Sequence, residues 1–276
     1  MKKATILSLG FLVIAIGAAW YTYDKFDSQL TRLTPEVIEA LHQTVAEENE
    51  AAIVKPKTRV RIIQPPNPMK NLYFGDLHVH TSWSFDANLG GNRVEPAEAY
   101  RFAQGEKLEL MSGEIAQLAV PLDFAAITDH AESFGLFEGC ADPGIVKEQA
   151  EFCDLFENPS VSVFYQLRKD ATKRPPVRMS FCGEDGSFCI EHGKTTWQKI
   201  QQAAENANQP GVFTSFNAYE YSPTWPKTGS THRNIIFRNK SVPDTVVSAY
   251  DAATALDLWR TLEETCSDDC EFLTIP

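Results

Sequence analysis

The sequence predicts an α/β domain behind an exported or membrane-anchored N-terminus, and three observations predict it. From residue 71 onward, short apolar runs alternate with stretches of helix-forming composition, the strand-then-helix order that builds a mainly parallel sheet. Several of those runs stop at an acid or a histidine, and barrels and doubly wound sheets alike place their sites at the C-terminal ends of strands. The first twenty-odd residues are apolar after Lys2 and Lys3. On these grounds alone, a barrel and a doubly wound sheet both remain open.

Taken in order, residues 1–23 read as a hydrophobic helix that is either a signal peptide or an uncleaved membrane anchor. Ala4 to Tyr21 is about the length that crosses a bilayer. Gly17, Ala18 and Ala19 offer a cleavage site, whereas Trp20, Tyr21 and Tyr23 look like an interfacial aromatic belt. Either reading puts the protein in the cell envelope, periplasmic or exported, with this segment as its contact with the membrane. Residues 24–70 follow as a helical stalk and linker. Asp24 to Glu50 reads as an amphipathic helix with Val37, Ile38, Leu41 and Val45 on one face, and Pro65, Pro66 and Pro68 mark an extended connection. The main domain is expected over 71–276.

Within it, strands are expected at Leu72–Val79, Phe124–Thr128, Phe213–Tyr219, Ile235–Arg238 and Phe272–Ile275. Helices are expected at Pro96–Gln104, Val146–Phe156, Thr195–Asn206 and Ala252–Glu264, with Glu95-Pro96 and Thr195-Thr196 as starts. An apolar content of 43% supports a packed core. A net charge of −12 argues against binding nucleic acid through a basic surface. It leaves room for a small anionic ester substrate, because bound cations invert the local field in a cleft.

The six cysteines fall in three neighbouring pairs, Cys140 with Cys153, Cys182 with Cys189, and Cys266 with Cys270. An even count behind an export segment reads as disulfides. Zinc binding is the competing reading, but no pair has the two-residue gap of a zinc knuckle.

The chemistry concentrates at strand ends. In an extended chain, residues two apart share a face, so His78 and His80 can grip one ion. The second strand ends in Asp129-His130, the third in Glu220, and His232 precedes the fourth. Imidazoles and carboxylates together suit manganese, zinc or iron.

Asp76-Leu77-His78-Val79-His80-Thr81 and Thr128-Asp129-His130 resemble the first two motifs of the polymerase and histidinol phosphatase (PHP) superfamily. The wider stretches Tyr73 to Trp83, Cys182 to Gly186 and Thr231 to Arg238 resemble a PHP-like bacterial branch known only as a domain of unknown function. The resemblance implies a distorted (β/α)7 barrel holding two or three divalent ions. Carried over residue by residue, it implies that His78, His80, Asp86, His130, Glu220 and His232 are metal ligands and that Glu220 bridges two ions. Asp86 departs from the pattern, since Ala87 stands where Gly is usual. Asp129 is expected to orient His130 or another ligand, and Arg233 to clamp a substrate oxyanion or to pair with a carboxylate. No His follows His232, so the chain is expected to be an N-terminal fragment with an incomplete barrel.

The expected activity is metal-assisted hydrolysis of a phosphate mono- or diester. A sulfate-ester hydrolase with the same site and a non-catalytic envelope protein that binds metal are the alternatives. No Gly-x-Ser-x-Gly elbow supports serine chemistry.

Overall fold

The computed structural model describes residues 71–157, 172–173, 175–225 and 229–276. The expected anchor at 1–23 and the stalk and linker at 24–70 lie outside the described residues. Every described strand and helix belongs to the larger of two compact units, Val54–Met111 with Ile115–Pro276.

The domain is mixed α/β, and its strands lead into its site. Strand β1 (Gly75–Val79) is followed by α1 (Phe85–Leu89) and α2 (Pro96–Ala103), the latter with Pro96 in its first turn. The Glu95 N–H donates to Glu98 Oε2 at 3.1 Å, which satisfies one of the donors that a helix start leaves bare. A short ladder, β2 (Leu108–Glu109) with β3 (Ile115–Ala116), precedes β4 (Phe124–Ile127). Helices α3 (Leu136–Cys140) and α4 (Lys147–Glu157) come next, then the long α5 (Ser187–Ala207). β5 (Thr214–Phe216), β6 (Ala218–Tyr221), the small hairpin β7 (Thr224–Trp225) with β8 (Gly229–Ser230), and β9 (Arg233–Phe237) follow. Helix α6 (Ala255–Thr265), capped by Thr254 Oγ1 accepting the Asp257 N–H, leads to β10 (Phe272–Ile275).

The expected strands and helices appear, with three differences. Helix α5 begins at Ser187, well before the expected Thr195, because Gly186 takes a left-handed φ of 74° and Cys189 is buried on the helix's first turn. The run Phe213–Tyr219 is two strands that break at Asn217 and continue to Tyr221. The sheet is also less parallel than expected. β1, β4 and β5 are parallel, but β9 runs antiparallel to both β6 and β10. For β6 and β9 the physical reason is the short link between them, whose described residues hold the β7–β8 hairpin and which leaves no room for a crossover helix; β10 returns to β9 after α6.

Among the described residues the strands do not close into a barrel but form two three-stranded sheets, β1-β4-β5 and β10-β9-β6, beside the two small hairpins. They do share a face. Leu77, Ala126, Phe216, Ala218, Ile236 and Ile275, from six strands, pack in one apolar cluster. On the opposite face Trp197, Tyr219, Phe237, Leu258 and Leu262 form the main core against α5 and α6. Gly135, at φ +89°, lies so close to the Cys189 carbonyl that any Cβ there would clash, which fits α3 against α5.

All six cysteines are paired as expected, Cys140–Cys153, Cys182–Cys189 and Cys266–Cys270. Three disulfides fit an oxidising, extracytoplasmic compartment. Among the described residues no helix is long and apolar enough to cross a membrane.

Candidate metal centre

Alternation along the strands decides which side chains reach the site. On β6, Tyr219 and Tyr221 enter the main core, while Ala218 faces the six-strand cluster, so Glu220 shares that second face. β1 carries a register irregularity between Asp76 and Val79. Val79 packs on the helix side, which leaves His78 and His80 together on the site face. The end of β4 supplies His130, and the segment after the β7–β8 hairpin supplies His232.

These residues converge on Glu220, whose carboxylate is fully buried. Its Oε2 lies 2.6 Å from His80 Nε2 and 3.1 Å from His78 Nε2. Its Oε1 contacts His232 Nδ1 and lies 4.0 Å from His130 Nδ1. Asp86 sits beside them, 3.1 Å from His80 Nδ1 and 3.2 Å from His130 Nε2. Three groups of donors result, His78–His80–Glu220, His80–Asp86–His130 and His130–Glu220–His232, each with ligand atoms within 4.8 Å of one another. An imidazole ordinarily gives one nitrogen to a metal and the other to an orienting partner. His80 therefore serves either the first group or the second, and the first and third are compatible through the two oxygens of Glu220.

The electrostatics agree. Burial disfavours ionised Glu220 and Asp86, but bonds from His232 and His80 to the first, and from His130 and His80 to the second, hold both well below the usual carboxylate range. Burial likewise opposes a charge on His80, yet its bonds to Asp86 and Glu220 raise it from 6.5 to about 10. His232 is raised chiefly by its bond to Glu220. The raised His80 and His232 thus offset the carboxylates of Glu220 and Asp86, and a divalent ion would bring positive charge to the same place.

All six expected ligands are brought together. The two other expected site residues behave differently. Asp129, expected to orient His130 or another ligand, directs its fully buried carboxylate to Thr81, accepting the backbone N–H at 2.5 Å and the hydroxyl at 2.6 Å and clamping the turn after His80. Burial pushes its pKa up to about 6 against the effect of those bonds. Arg233 pairs with Tyr221 in the β6–β9 register, one position off the site face, and its guanidinium lies 6.0 Å from the Trp259 ring centroid. Arg233, expected to clamp an oxyanion or to pair with a carboxylate, thus has its guanidinium beside Trp259 of α6.

Several residues escape a reading of the sequence alone. The Ser222 hydroxyl lies 2.6 Å from His130 Nδ1 and 3.0 Å from His232 Nδ1, and donates to Glu220 Oε1 at 3.1 Å. Ser84 Oγ donates to Asp86 Oδ1 at 2.7 Å and accepts the His130 N–H. Asn234, opposite Glu220 in the β9 register, donates from Nδ2 to the Leu77 carbonyl at 2.9 Å. Spacing holds a clue for Ser222, since it stands two residues past Glu220 along an extended chain.

No curated protein and no solved structure matches the chain. A family model described as a protein of unknown function, DUF3604, matches residues 67–276, a span that takes in every residue of the cluster. The chain belongs to the DUF3604 family.

Proposed function

We propose that the protein is a metal-dependent hydrolase of phosphate mono- or diesters, with divalent ions held by His78, His80, Asp86, His130, Glu220 and His232. The observation that carries this reading is the division of Glu220, one oxygen directed to His78 and His80 and the other to His232. A buried carboxylate shared between two sets of imidazoles is the arrangement that bridges a pair of ions. The donor set suits manganese, zinc or iron, and no thiolate competes because every cysteine is in a disulfide. The likeness of the His78–His80 and Asp129–His130 segments to PHP motifs supports the same reading. So does the apolar cluster shared by six strands, which suits part of a distorted (β/α)7 barrel.

Bound divalent ions supply an acidified water and take up charge on phosphoryl oxygens. The chain's own residues do the rest. Asp86 holds the Nδ1 edge of His80 and so turns Nε2 toward Glu220. Ser222 holds His130 and His232 against Glu220 Oε1. His78, whose side chain is 57% exposed, forms the rim that a substrate meets first. Residues 1–23 keep the protein in the cell envelope in this reading.

The test is turnover of an aryl phosphate and a bis-aryl phosphate by the protein loaded with manganese. Hydrolysis that disappears with chelator and in Glu220→Gln is the expected result. Faster hydrolysis of an aryl sulfate than of either phosphate replaces the substrate assignment. Tight manganese binding without any turnover leaves a metal-binding protein and ends the claim of catalysis.

A further inference from the structure

Glu132 lies two residues after His130, in the single helical turn Ala131–Ser133. Its Oε1 accepts the Ala249 N–H at 2.7 Å and the Ser222 N–H at 3.2 Å. The two donors come from different places, Ser222 from the turn that leaves β6 and Ala249 from the segment between β9 and α6. The other oxygen, Oε2, is buried and has no hydrogen-bond partner among the described residues. Burying a carboxylate with one oxygen unpaired costs free energy, and an apolar side chain of similar size avoids that cost. What the carboxylate supplies in return is a fixed backbone at Ser222, and Ser222 is the residue whose hydroxyl touches His130, Glu220 and His232.

We infer that Glu132 is a positioning residue of the metal centre: by holding the Ser222 backbone, it sets the hydroxyl that orients His130 and His232. The inference rests on the metal-centre reading above. His130 and Ser222 are linked twice, directly through the hydroxyl and indirectly through Glu132. Loss of Glu132 therefore frees the Ser222 turn while leaving every ligand in the sequence.

The test compares the full chain with Glu132→Gln, Glu132→Asp and Glu132→Ala in two measurements. One is affinity for manganese(II) alone. The other is the imidazole nitrogen resonances of His130 and His232 in metal-free protein, which respond to ring orientation and tautomer whether or not metal binds. Gln keeps an oxygen that accepts both N–H groups, so manganese affinity and both resonances are expected to stay near wild type. Asp is one methylene too short to reach both donors and Ala has none. Each is expected to weaken manganese binding about 10- to 100-fold, the usual effect of losing a partner that orients a ligand, and to move both histidines. If Glu132→Ala does not fold, the contrast between Gln and Asp decides. Unchanged affinity and unchanged imidazole signals in all folded variants, with only a lower melting temperature, overturn the inference. A wild type that binds no manganese, with histidine signals that still move in Asp and not in Gln, overturns the metal reading and upholds the positioning role.

Discussion

His130, three residues past the end of β4, and Glu220 on β6 form an isolated parallel bridge, their Nδ1 and Oε1 atoms 4.0 Å apart. This is the seam between two three-stranded sheets. The parallel strands β1, β4 and β5 lie to one side of it, and the antiparallel strands β6, β9 and β10 to the other. Each half supplies ligands, His78, His80 and His130 from the first and Glu220 with His232 from the second. The candidate donors therefore come together only when the two halves are in register, so metal binding is expected to be coupled to the packing of the seam.

Glu220→Gln should remove more than one ion. Its two oxygens serve two groups of imidazoles, and an amide cannot bridge with two anionic oxygens. Elemental analysis of protein loaded with excess manganese is expected to show a stoichiometry below that of both wild type and His78→Ala. His78, on the exposed rim, contributes to one group only. Wild-type stoichiometry in Glu220→Gln rules out the bridge.

The metal-free protein should lose stability as the solution becomes alkaline. Burial acts to lower the pKa of His80, but Asp86 and Glu220 outweigh it and raise the group from 6.5 to about 10. A histidine whose pKa is higher in the folded state adds stability that is complete below the unfolded value and is lost as pH rises through the folded one. Melting temperature in chelator is thus expected to fall between about pH 7 and 9.5, and His80→Gln is expected to flatten the fall. Tyr100 and Tyr219, both raised by burial, act in the same sense only above their ordinary value of 10.0, outside this window. A wild-type melting temperature that stays level over the window removes the imidazolium–carboxylate pairing. The same proton must leave His80 when a metal takes its place, so manganese uptake at neutral pH should release protons into the buffer.

His78, His80, His130 and Glu220 are legible in the sequence because each sits at or near the end of an apolar run, where a histidine or acid stands out against the strand before it; His232 stands just ahead of a strand, and Asp86 comes only from the family resemblance. His78 and His80 need only the two-residue period of a strand. The surroundings of Arg233 are not legible in the same way: Asn234 opposes Glu220 and Arg233 opposes Tyr221, and the register that fixes this is a long-range fact. Ser222 and Glu132 stay hidden for a different reason. A serine in a turn and a glutamate after a histidine carry no signature, and their meaning lies in the partners that folding gives them. The antiparallel pairing of β6 with β9 is concealed in a loop length, the short path from Tyr221 to Arg233 that leaves no room for a crossover helix.

The disulfides should differ in how they contribute. Closing the Cys140–Cys153 loop restricts the unfolded chain more than closing Cys266–Cys270, roughly 3 against about 2 kcal/mol on loop entropy. Access follows another order, because Cys182 and Cys189 are 3% and 2% exposed while the other four are partly buried. Mild reduction of the folded protein followed by alkylation and peptide mapping is expected to open Cys140–Cys153 and Cys266–Cys270 first. Cys182–Cys189, packed with Leu136, Met179 and Phe181, should open last and together with unfolding. Its reduction ahead of the others in protein with native circular dichroism contradicts this packing.

Asp129 should matter to the centre without touching it. Its two oxygens meet the two donors of Thr81, backbone and hydroxyl, in a site closed to water. Asp129→Asn replaces one acceptor by an N–H₂ that points at a donor, so a buried hydrogen bond is lost and a polar group is left unpaired. Such a loss costs about 1 to 3 kcal/mol. Thr81→Ala removes only the hydroxyl and spares the backbone bond, and should cost less, whereas Thr81→Ser keeps both donors and should approach wild type. The turn so held follows His80 directly, so the ranking Thr81→Ser, Thr81→Ala, Asp129→Asn is expected to recur in manganese affinity. Denaturant unfolding and metal titration of the three variants check the two rankings separately. If stability falls in this order while manganese affinity stays constant, the clamp supports the fold alone and His80 is held in place by Asp86 and Glu220 without it.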